Sequence, residues 1–204
     1  MEQIELPGPV LKGMLSVEEA IGRRRSRRSF SEAPLTLEQL GQLLWAAQGV
    51  TGETPRHRAA PSAGATCPME IFVATGAATV GQLGAGVYHY LPARHALEQT
   101  HDADIRERVA EAALGQDFLE AAPASVLMAA DHERTGRRYG ERARRYVAME
   151  AGHISQNVYL QAEAIGLATV AVGAFHDRAL ASAFQLPRPL EALYLMAVGY
   201  AAES

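Results

Sequence analysis

The chain has 204 residues, a formal net charge of −4 and an apolar fraction of 48%. This length and apolar content predict one globular domain spanning residues 1–204. We find neither a run of about 18 apolar residues nor a secretion signal, so we expect no membrane association. The acidic balance disfavours nucleic acid as a partner. Cys67 is the only cysteine, which excludes an intrachain disulfide and a cysteine-type zinc site and favours a cytoplasmic location.

The first half of the chain predicts two capped helices and three strands. Ser16 and Thr36 are each followed three residues later by Glu or Gln, which is the pattern of a capping box. Leucines recur at helical spacing after Thr36 until Gly49. Short apolar runs predict strands at 71–74, 86–90 and 96–99, the last two paired around a turn at Pro92.

The second half predicts a long helix among shorter elements. This helix, at about 142–165, carries small residues such as Ala151 and Gly152, which allow another helix to pack closely against it. Gly166 is expected to end it in the left-handed conformation. The remaining predicted elements are helices at 104–114 and 177–184 and strands at 123–130, 169–172 and 192–199. Because the strands do not alternate strictly with helices, the predicted fold class is α+β.

Residues 23–28, at the end of the first predicted helix, read Arg-Arg-Arg-Ser-Arg-Arg. Guanidinium groups bind phosphate oxygens in a bidentate manner, and a serine hydroxyl adds a neutral donor, so this segment is a candidate phosphate site. A solvated basic run and a nucleic-acid patch are the alternatives, and the pattern alone does not decide among the three.

Two stretches of small residues are candidate surfaces for a flat ligand. One is the loop at 60–68, Ala-Pro-Ser-Ala-Gly-Ala-Thr-Cys-Pro, and the other is the strand end at 171–175, Ala-Val-Gly-Ala-Phe. Short side chains expose backbone N–H and C=O groups, so a ligand can lie close to the chain. Ordinary connections have the same composition, and neither stretch is specific by itself.

Taken in order, these motifs resemble the nitroreductase family of flavoproteins. Residues 24–30 are similar to the family's flavin-phosphate motif, and 61–68 to its loop beside the isoalloxazine ring. Residues 150–167 and 172–175 resemble the long dimer helix and the flavin-facing strand, and 195–200 the last strand of the core. The loop and the Glu-Ala-Gly-His part of the helix are most similar to the SagB-type, azoline-oxidising branch.

The resemblance implies a nitroreductase-like fold, in which helices flank a central, mostly antiparallel sheet and two chains form an intertwined homodimer. It also implies FMN, bound without a covalent link in two equivalent sites to which both subunits contribute. Arg24, Ser26 and Arg28 match the phosphate and ribityl contacts, with Arg25 nearby. The other matching positions are the ring loop Ser62, Ala63, Gly64 and Ala65, the helix residue Asn157, and the strand-end residues Val172, Gly173 and Ala174, of which the last two face flavin N5.

Two departures from the usual family pattern bear on flavin binding. Many members have Asn where Ala65 stands, so a side-chain hydrogen bond to the flavin edge is expected to be lost. Many also have a basic pair after the final strand, where this sequence has Ala-Ala-Glu-Ser after Tyr200. We therefore expect phosphate binding to depend more strongly on the N-terminal arginines, or FMN to bind more weakly than is usual.

Several other side chains favour structural interpretations. Glu150 and His153 have the spacing used in di-iron bundles, but such sites need further carboxylates from neighbouring helices, so we expect no metal. Cys67 is interpreted as a small buried residue, Trp45 as a core or dimer contact, and Ser62 lacks the setting of a hydrolase nucleophile. A second basic run is interpreted as a solvated helix face, with attraction of an NADPH phosphate as the alternative; it comprises Arg134, Arg137, Arg138, Arg142, Arg144 and Arg145.

The motifs and the resemblance together predict an FMN-dependent oxidoreductase with ping-pong turnover. NAD(P)H would place hydride on flavin N5 and leave, and a nitro-aromatic or quinone-type acceptor would then take the electrons. No catalytic residue is assigned, because the sequence identifies no proton donor. Two alternatives remain open: a SagB-type dehydrogenase that oxidises azolines in a modified peptide, and a non-enzymatic module that binds nucleic acid or a partner through the arginine runs.

Overall fold

A computed structural model describes residues 3–202. Within them, one sheet contains the strands β1 (Gln3–Glu5), β2 (Met69–Thr75), β3 (Gly86–Leu91), β4 (Ala96–His101), β5 (Ala124–Ala130), β6 (Ala168–Val172) and β7 (Glu191–Gly199). Their order across the sheet is β1-β4-β3-β2-β5-β7-β6, and each neighbouring pair is antiparallel. The predicted α+β class with a central antiparallel sheet is confirmed.

Helices cover both faces of this sheet. They are α1 (Val17–Arg23), α2 (Leu37–Gln48), α3 (Arg106–Ala112), α4 (Phe118–Ala121), α5 (His132–Tyr139), α6 (Ala143–Ala164) and α7 (Asp177–Ala183), with short 3-10 turns at Ala63–Ala65 and Gly140–Arg142. None of the helices in the described part of the chain is long and apolar enough to span a membrane.

The sheet separates two apolar cores, because successive residues of a strand point to opposite faces. Ile71 and Val73 of β2 pack with α2 and α6, whereas Phe72 and Ala74 pack with α3 and α7 on the other side. β5 is buried along its whole length, which explains why its sequence is apolar except at Ser125 and does not alternate.

Both predicted capping boxes are present. The Ser16 hydroxyl accepts a hydrogen bond from the Glu19 N–H at 3.1 Å, and the Glu19 carboxylate accepts one from the Ser16 N–H at 3.1 Å. Thr36 and Gln39 form the same reciprocal pair at the start of α2. The long predicted helix is confirmed as α6, and Gly166 follows it with φ of 74°.

Some elements depart from their sequence pattern. The sequence did not indicate β1, which is short and largely polar and exists through pairing with β4. The helix expected from residue 104 begins two residues later, at Arg106, whose N–H donates to the Asp104 carboxylate at 3.1 Å in a turn that precedes the helix.

Candidate functional site

The loop at 61–68, called here the small-residue loop, has an unusual backbone. Gly64, Ala65 and Cys67 have φ values of 60°, 52° and 46°, in the left-handed region that favours glycine. At position 64 a Cβ atom would also stand 2.6 Å from the Tyr139 hydroxyl oxygen, so any larger residue would have to displace that side chain as well as adopt a strained backbone. A left-handed backbone at alanine or cysteine costs conformational free energy, and such strained conformations cluster at ligand-binding sites.

Helix α5 holds this loop in place from one side. The Arg134 guanidinium donates to the Cys67 carbonyl at 3.1 Å, and Arg138 donates to the Gly64 carbonyl at 3.3 Å. The hydroxyls of Thr66 and Thr135 are 2.8 Å apart and share a hydrogen bond. The loop therefore has a fixed conformation that these side chains support.

Glu150 of α6 lies beneath the same loop. Its side chain is buried, with 2% of the residue exposed, and it accepts a hydrogen bond from the Gln48 amide at 3.4 Å. Burial raises the pKa of Glu150 to about 7, against hydrogen bonds from Ser62 and Gln48 and the nearby Arg58 cation, which lower it. Glu150 therefore fixes the Ser62 hydroxyl, which in turn accepts the Cys67 N–H at 2.9 Å.

The arginine segment, residues 24–28, runs along the sheet edge formed by β6. The Arg27 N–H donates to the Thr169 carbonyl at 3.1 Å, and its guanidinium pairs with Glu163 at 2.9 Å. Arg25 folds back onto the Gly22 carbonyl at 3.0 Å. Ser26 and Arg28 are exposed.

Tyr159 of α6 connects the arginine segment to β6. Its hydroxyl is 2.9 Å from the Ser26 hydroxyl and accepts the Ala171 N–H at 2.8 Å. The Arg24 guanidinium lies over the Tyr159 ring, 5.2 Å from its centre. Just beyond Ala171, strand β6 ends at the buried Val172, and Gly173 and Ala174 follow with exposed backbone. The structure thus brings the predicted phosphate residues to the same strand as the predicted flavin-facing backbone.

Helix α6 separates this group from the small-residue loop. Glu150, beneath the loop, and Tyr159, beside Ser26, are nine positions apart, which corresponds to about 13 Å along the axis and about half a turn around it. They therefore project from opposite sides of the helix. Asn157 belongs to the loop side, where its amide donates to the Ala46 and Ala59 carbonyls at 3.1 and 3.2 Å. One chain does not bring the predicted site residues together at one point.

Sequence patterns missed the residues that organise both halves. Tyr159 and Glu150 act through partners 133 and 102 positions away in the chain, and no local pattern indicates such contacts. The signal for Glu150 was its charge on the same helical face as Val147 and Ile154, since a carboxylate on a buried face needs partners.

The surroundings of Cys67 and of the Glu150–His153 pair are those of structural side chains. Cys67 is half-buried, and burial raises the pKa of its thiol, which disfavours a nucleophilic role. His153 is exposed whereas Glu150 is buried. The sequence also has a second Glu-x-x-His, Glu98 to His101, but it lies on strand β4. Among residues 3–202 no cluster of three or more His, Cys, Asp or Glu side chains is placed to hold a metal ion.

An apolar groove of about 700 Å³ lies between the N-terminal segment and helices α2 and α6. Trp45 and Leu160 form part of its wall. Its wall also includes exposed apolar residues of the N-terminal segment and of the start of α1: Val10, Leu11, Met14 and Val17. An exposed apolar surface of this kind is typical of a protein–protein contact.

Comparisons with known proteins agree with this architecture. The model of the nitroreductase family matches residues 21–200, which include both halves of the candidate site. This chain belongs to the nitroreductase family. The family generally binds flavin and comprises oxidoreductases, and nothing in the comparisons distinguishes the SagB-type branch from the others.

Individual relatives cover nearly the whole chain. A protein of Methanocaldococcus jannaschii assigned as a nitroreductase is 43% identical over 185 residues, 91% of each chain. The crystal structure of a protein from Ralstonia eutropha with the same assignment has a TM-score of 0.85 and 32% identity, and covers 99% of this chain and 90% of its own. The NADPH:FMN oxidoreductase of Vibrio harveyi, complexed with NAD⁺, shares the fold with a TM-score of 0.67 at 20% identity, over 92% of this chain and 69% of its own.

Proposed function

We propose that this protein is a cytoplasmic, FMN-dependent oxidoreductase that takes hydride from NAD(P)H and reduces a nitro-aromatic or quinone-type acceptor. The observation that carries the proposal is the arrangement around Tyr159. Its ring and hydroxyl hold Arg24 and Ser26 at the strand whose end presents the bare backbone of Gly173 and Ala174. A phosphate site next to an open backbone is the combination that a flavin mononucleotide requires.

The residues present fit this cofactor. Arg24 and Arg28 would bind the phosphate, with Arg25 nearby and the Ser26 hydroxyl as a neutral donor. Gly173 and Ala174 would approach the ring through their backbone N–H groups, because neither residue has a side chain larger than a methyl group. The chemistry that FMN supplies when bound is two-electron hydride transfer. The protein's part is to hold the phosphate, orient the ring and limit water.

A homodimer would complete each site. The small-residue loop, which contains Ser62 and Ala65, lies on the far side of α6 from Ser26, so a loop that packs against the same flavin has to come from a second chain. The exposed face of α6 offers a contact for that chain at Met149, Gly152, His153 and Gln156. If two α6 helices pack antiparallel with the two-fold axis near 154–155, residue 150 of the partner stands level with residue 159 of this chain.

The order of events follows from a site with one open face. The donor and the acceptor would use that face in turn, so we expect ping-pong kinetics with parallel double-reciprocal plots. A wall of small residues and a flat ring would hold an acceptor by stacking, which tolerates many acceptor shapes.

Two measurements test the proposal. Titration of the apoprotein with FMN should saturate at one flavin per chain, with the yellow absorption of bound flavin. Anaerobic stopped-flow mixing with excess NADH and NADPH should then bleach the flavin. A colourless protein that ignores FMN would remove the flavoprotein assignment. A flavin that neither nucleotide bleaches, but that an azoline peptide does, would instead identify the azoline dehydrogenase.

A further inference from the structure

A basic cleft of about 510 Å³ lies between the small-residue loop and helix α5. Five guanidinium groups line it, and Glu70 is the one carboxylate among the described residues of its wall. These arginines are Arg56, Arg58, Arg134, Arg137 and Arg138. The excess of positive charge on a concave surface raises the local electrostatic potential, and this potential attracts a small anion.

Part of that positive charge faces carboxylates of the protein. Arg134 pairs with Glu70 at 2.7 Å and with Asp131 at 3.1 Å, and Arg58 lies close enough to Glu150 to lower its pKa. Arg56 and Arg137 have no carboxylate partner among residues 3–202. A guanidinium group without a carboxylate partner is free to donate two coplanar hydrogen bonds to the oxygens of a phosphate.

The rest of the basic run does not share this arrangement. Arg142, Arg144 and Arg145 lie outside the cleft, and Arg144 approaches Glu191 at 3.9 Å. The six arginines that the sequence presents as one solvated run are therefore two groups, of which the second is an ordinary exposed helix surface. This division makes the second group a natural control for the first.

The cleft shares a wall with the candidate flavin loop. Gly64, Ala65, Thr66 and Cys67 line it, and Arg138 is bonded to the Gly64 carbonyl. A ligand whose anionic part occupies the cleft therefore lies against the same loop that we assign to the flavin ring. One end of such a ligand can reach the flavin while its anionic end stays among the arginines.

We infer that this cleft binds the pyrophosphate of the nicotinamide dinucleotide that donates hydride. The inference rests on the proposed function, since it assigns the donor's anchoring site. A nicotinamide dinucleotide has a flat ring, which is neutral when reduced and cationic when oxidised, and a compact pyrophosphate dianion a few bonds away. The loop offers a surface for the ring, and the cleft offers one for the pyrophosphate. The arginines act as binding residues and take no part in hydride transfer.

Binding measurements without turnover test the cleft by itself. Calorimetric titration of the FMN-loaded protein with pyrophosphate should show binding that weakens with added salt. Arg56→Gln and Arg137→Gln should each weaken it roughly tenfold, about the effect of one charged hydrogen bond. Arg145→Gln is the matched control, an exposed arginine of the same run outside the cleft, and should bind as the parent does. Absence of pyrophosphate binding, or equal loss in the control, overturns the inference.

A second experiment tests whether the anion in the cleft belongs to the hydride donor. NAD⁺ and NADP⁺ should lose affinity in Arg137→Gln by the same factor as pyrophosphate, and the KM for the reduced donor should rise while the KM for a neutral quinone stays constant. Loss of pyrophosphate binding with unchanged dinucleotide affinity overturns the assignment to the donor. Because these titrations use oxidised nucleotides, they give their answer even if stopped-flow mixing refutes the reductase function.

Discussion

The Tyr159 hydroxyl makes two contacts that a phenylalanine at this position could not make. It accepts the Ala171 N–H and meets the Ser26 hydroxyl, so one oxygen atom connects α6, strand β6 and the arginine segment. Arg24 rests on the ring of the same residue. The position of the candidate phosphate residues therefore depends on one aromatic side chain that the sequence pattern does not single out.

Replacing Arg24 or Arg28 with Ala should weaken FMN binding by about 1.5–3 kcal/mol, the value of a hydrogen bond to a charged group. The double replacement should yield mostly apoprotein, because two of the proposed phosphate contacts are lost together. Fluorescence titration with FMN measures the effect, and Arg145→Ala, on the exposed surface of α6, is the control. Unchanged affinity in the double variant would place the phosphate elsewhere.

Glu150 makes stability depend on pH. Its pKa is about 7 in the folded protein and 4.5 in the absence of its surroundings, so the folded state binds the extra proton. Stability associated with this group is complete below pH 4.5 and is lost as pH rises through about 7. A difference of this size corresponds to roughly 3 kcal/mol.

Glu150→Gln should remove that dependence while keeping the hydrogen bonds to Ser62 and Gln48. Urea unfolding should show the variant more stable than the parent at about pH 8, by up to roughly 3 kcal/mol, with little gain at about pH 4.5. Glu141→Gln, which changes an exposed carboxylate, should show no such trend. A parent–variant difference that stays constant over this range would mean that Glu150 titrates normally.

Helix α6 shows how much of an element its own sequence determines. The spacing of apolar residues and Gly166 predicted its length and its end, and both capping boxes predicted the starts of α1 and α2. These features are local, because a helix turn and a cap involve residues three or four positions apart. Strands β2 to β7 were found in the same way, from apolar runs bounded by turns.

The sequence did not indicate which side of α6 each half of the candidate site would occupy. The loop reaches Glu150 and the arginine segment reaches Tyr159 only after the sheet has formed, since these contacts join distant parts of the chain. The sequence did not predict the cleft for the same reason, because Arg56 and Arg137 belong to separate parts of the chain. Edge strand β1 exists through pairing with β4 and has no pattern of its own.

The exposed face of α6 offers a test of the proposed dimer. A Cβ atom at Gly152 would meet nothing within 4 Å in the same chain, so Gly152→Arg leaves the fold of one chain undisturbed. Arginine is also the better helix former by up to about 1 kcal/mol. We expect this variant to sediment as a monomer and to lose flavin. Gly136→Arg, at an equally open position of α5, should remain dimeric, and a flavin-loaded monomer would contradict the shared site.

At the scale of the whole molecule, one sheet carries both apolar cores, and we propose that the chain folds as one domain. The net charge is −4, yet basic side chains are concentrated at the arginine segment and in the cleft. Such local excess on an acidic protein attracts small anions and discourages long polyanions, which would meet repulsion beyond the two basic surfaces. This distribution favours a nucleotide-using oxidoreductase over a nucleic-acid module.

The position of α6 between the two half-sites has a genetic consequence. A chain with Arg24 and Arg28 replaced keeps an intact loop, and a chain with Gly64→Val keeps an intact arginine segment. When the two inactive chains are co-expressed, each mixed dimer should combine both defects in one site and leave the other site whole. Flavin binding and activity should therefore reappear in purified mixed dimers bearing two different affinity tags. If each chain built its own site, the mixture would stay as inactive as its parents.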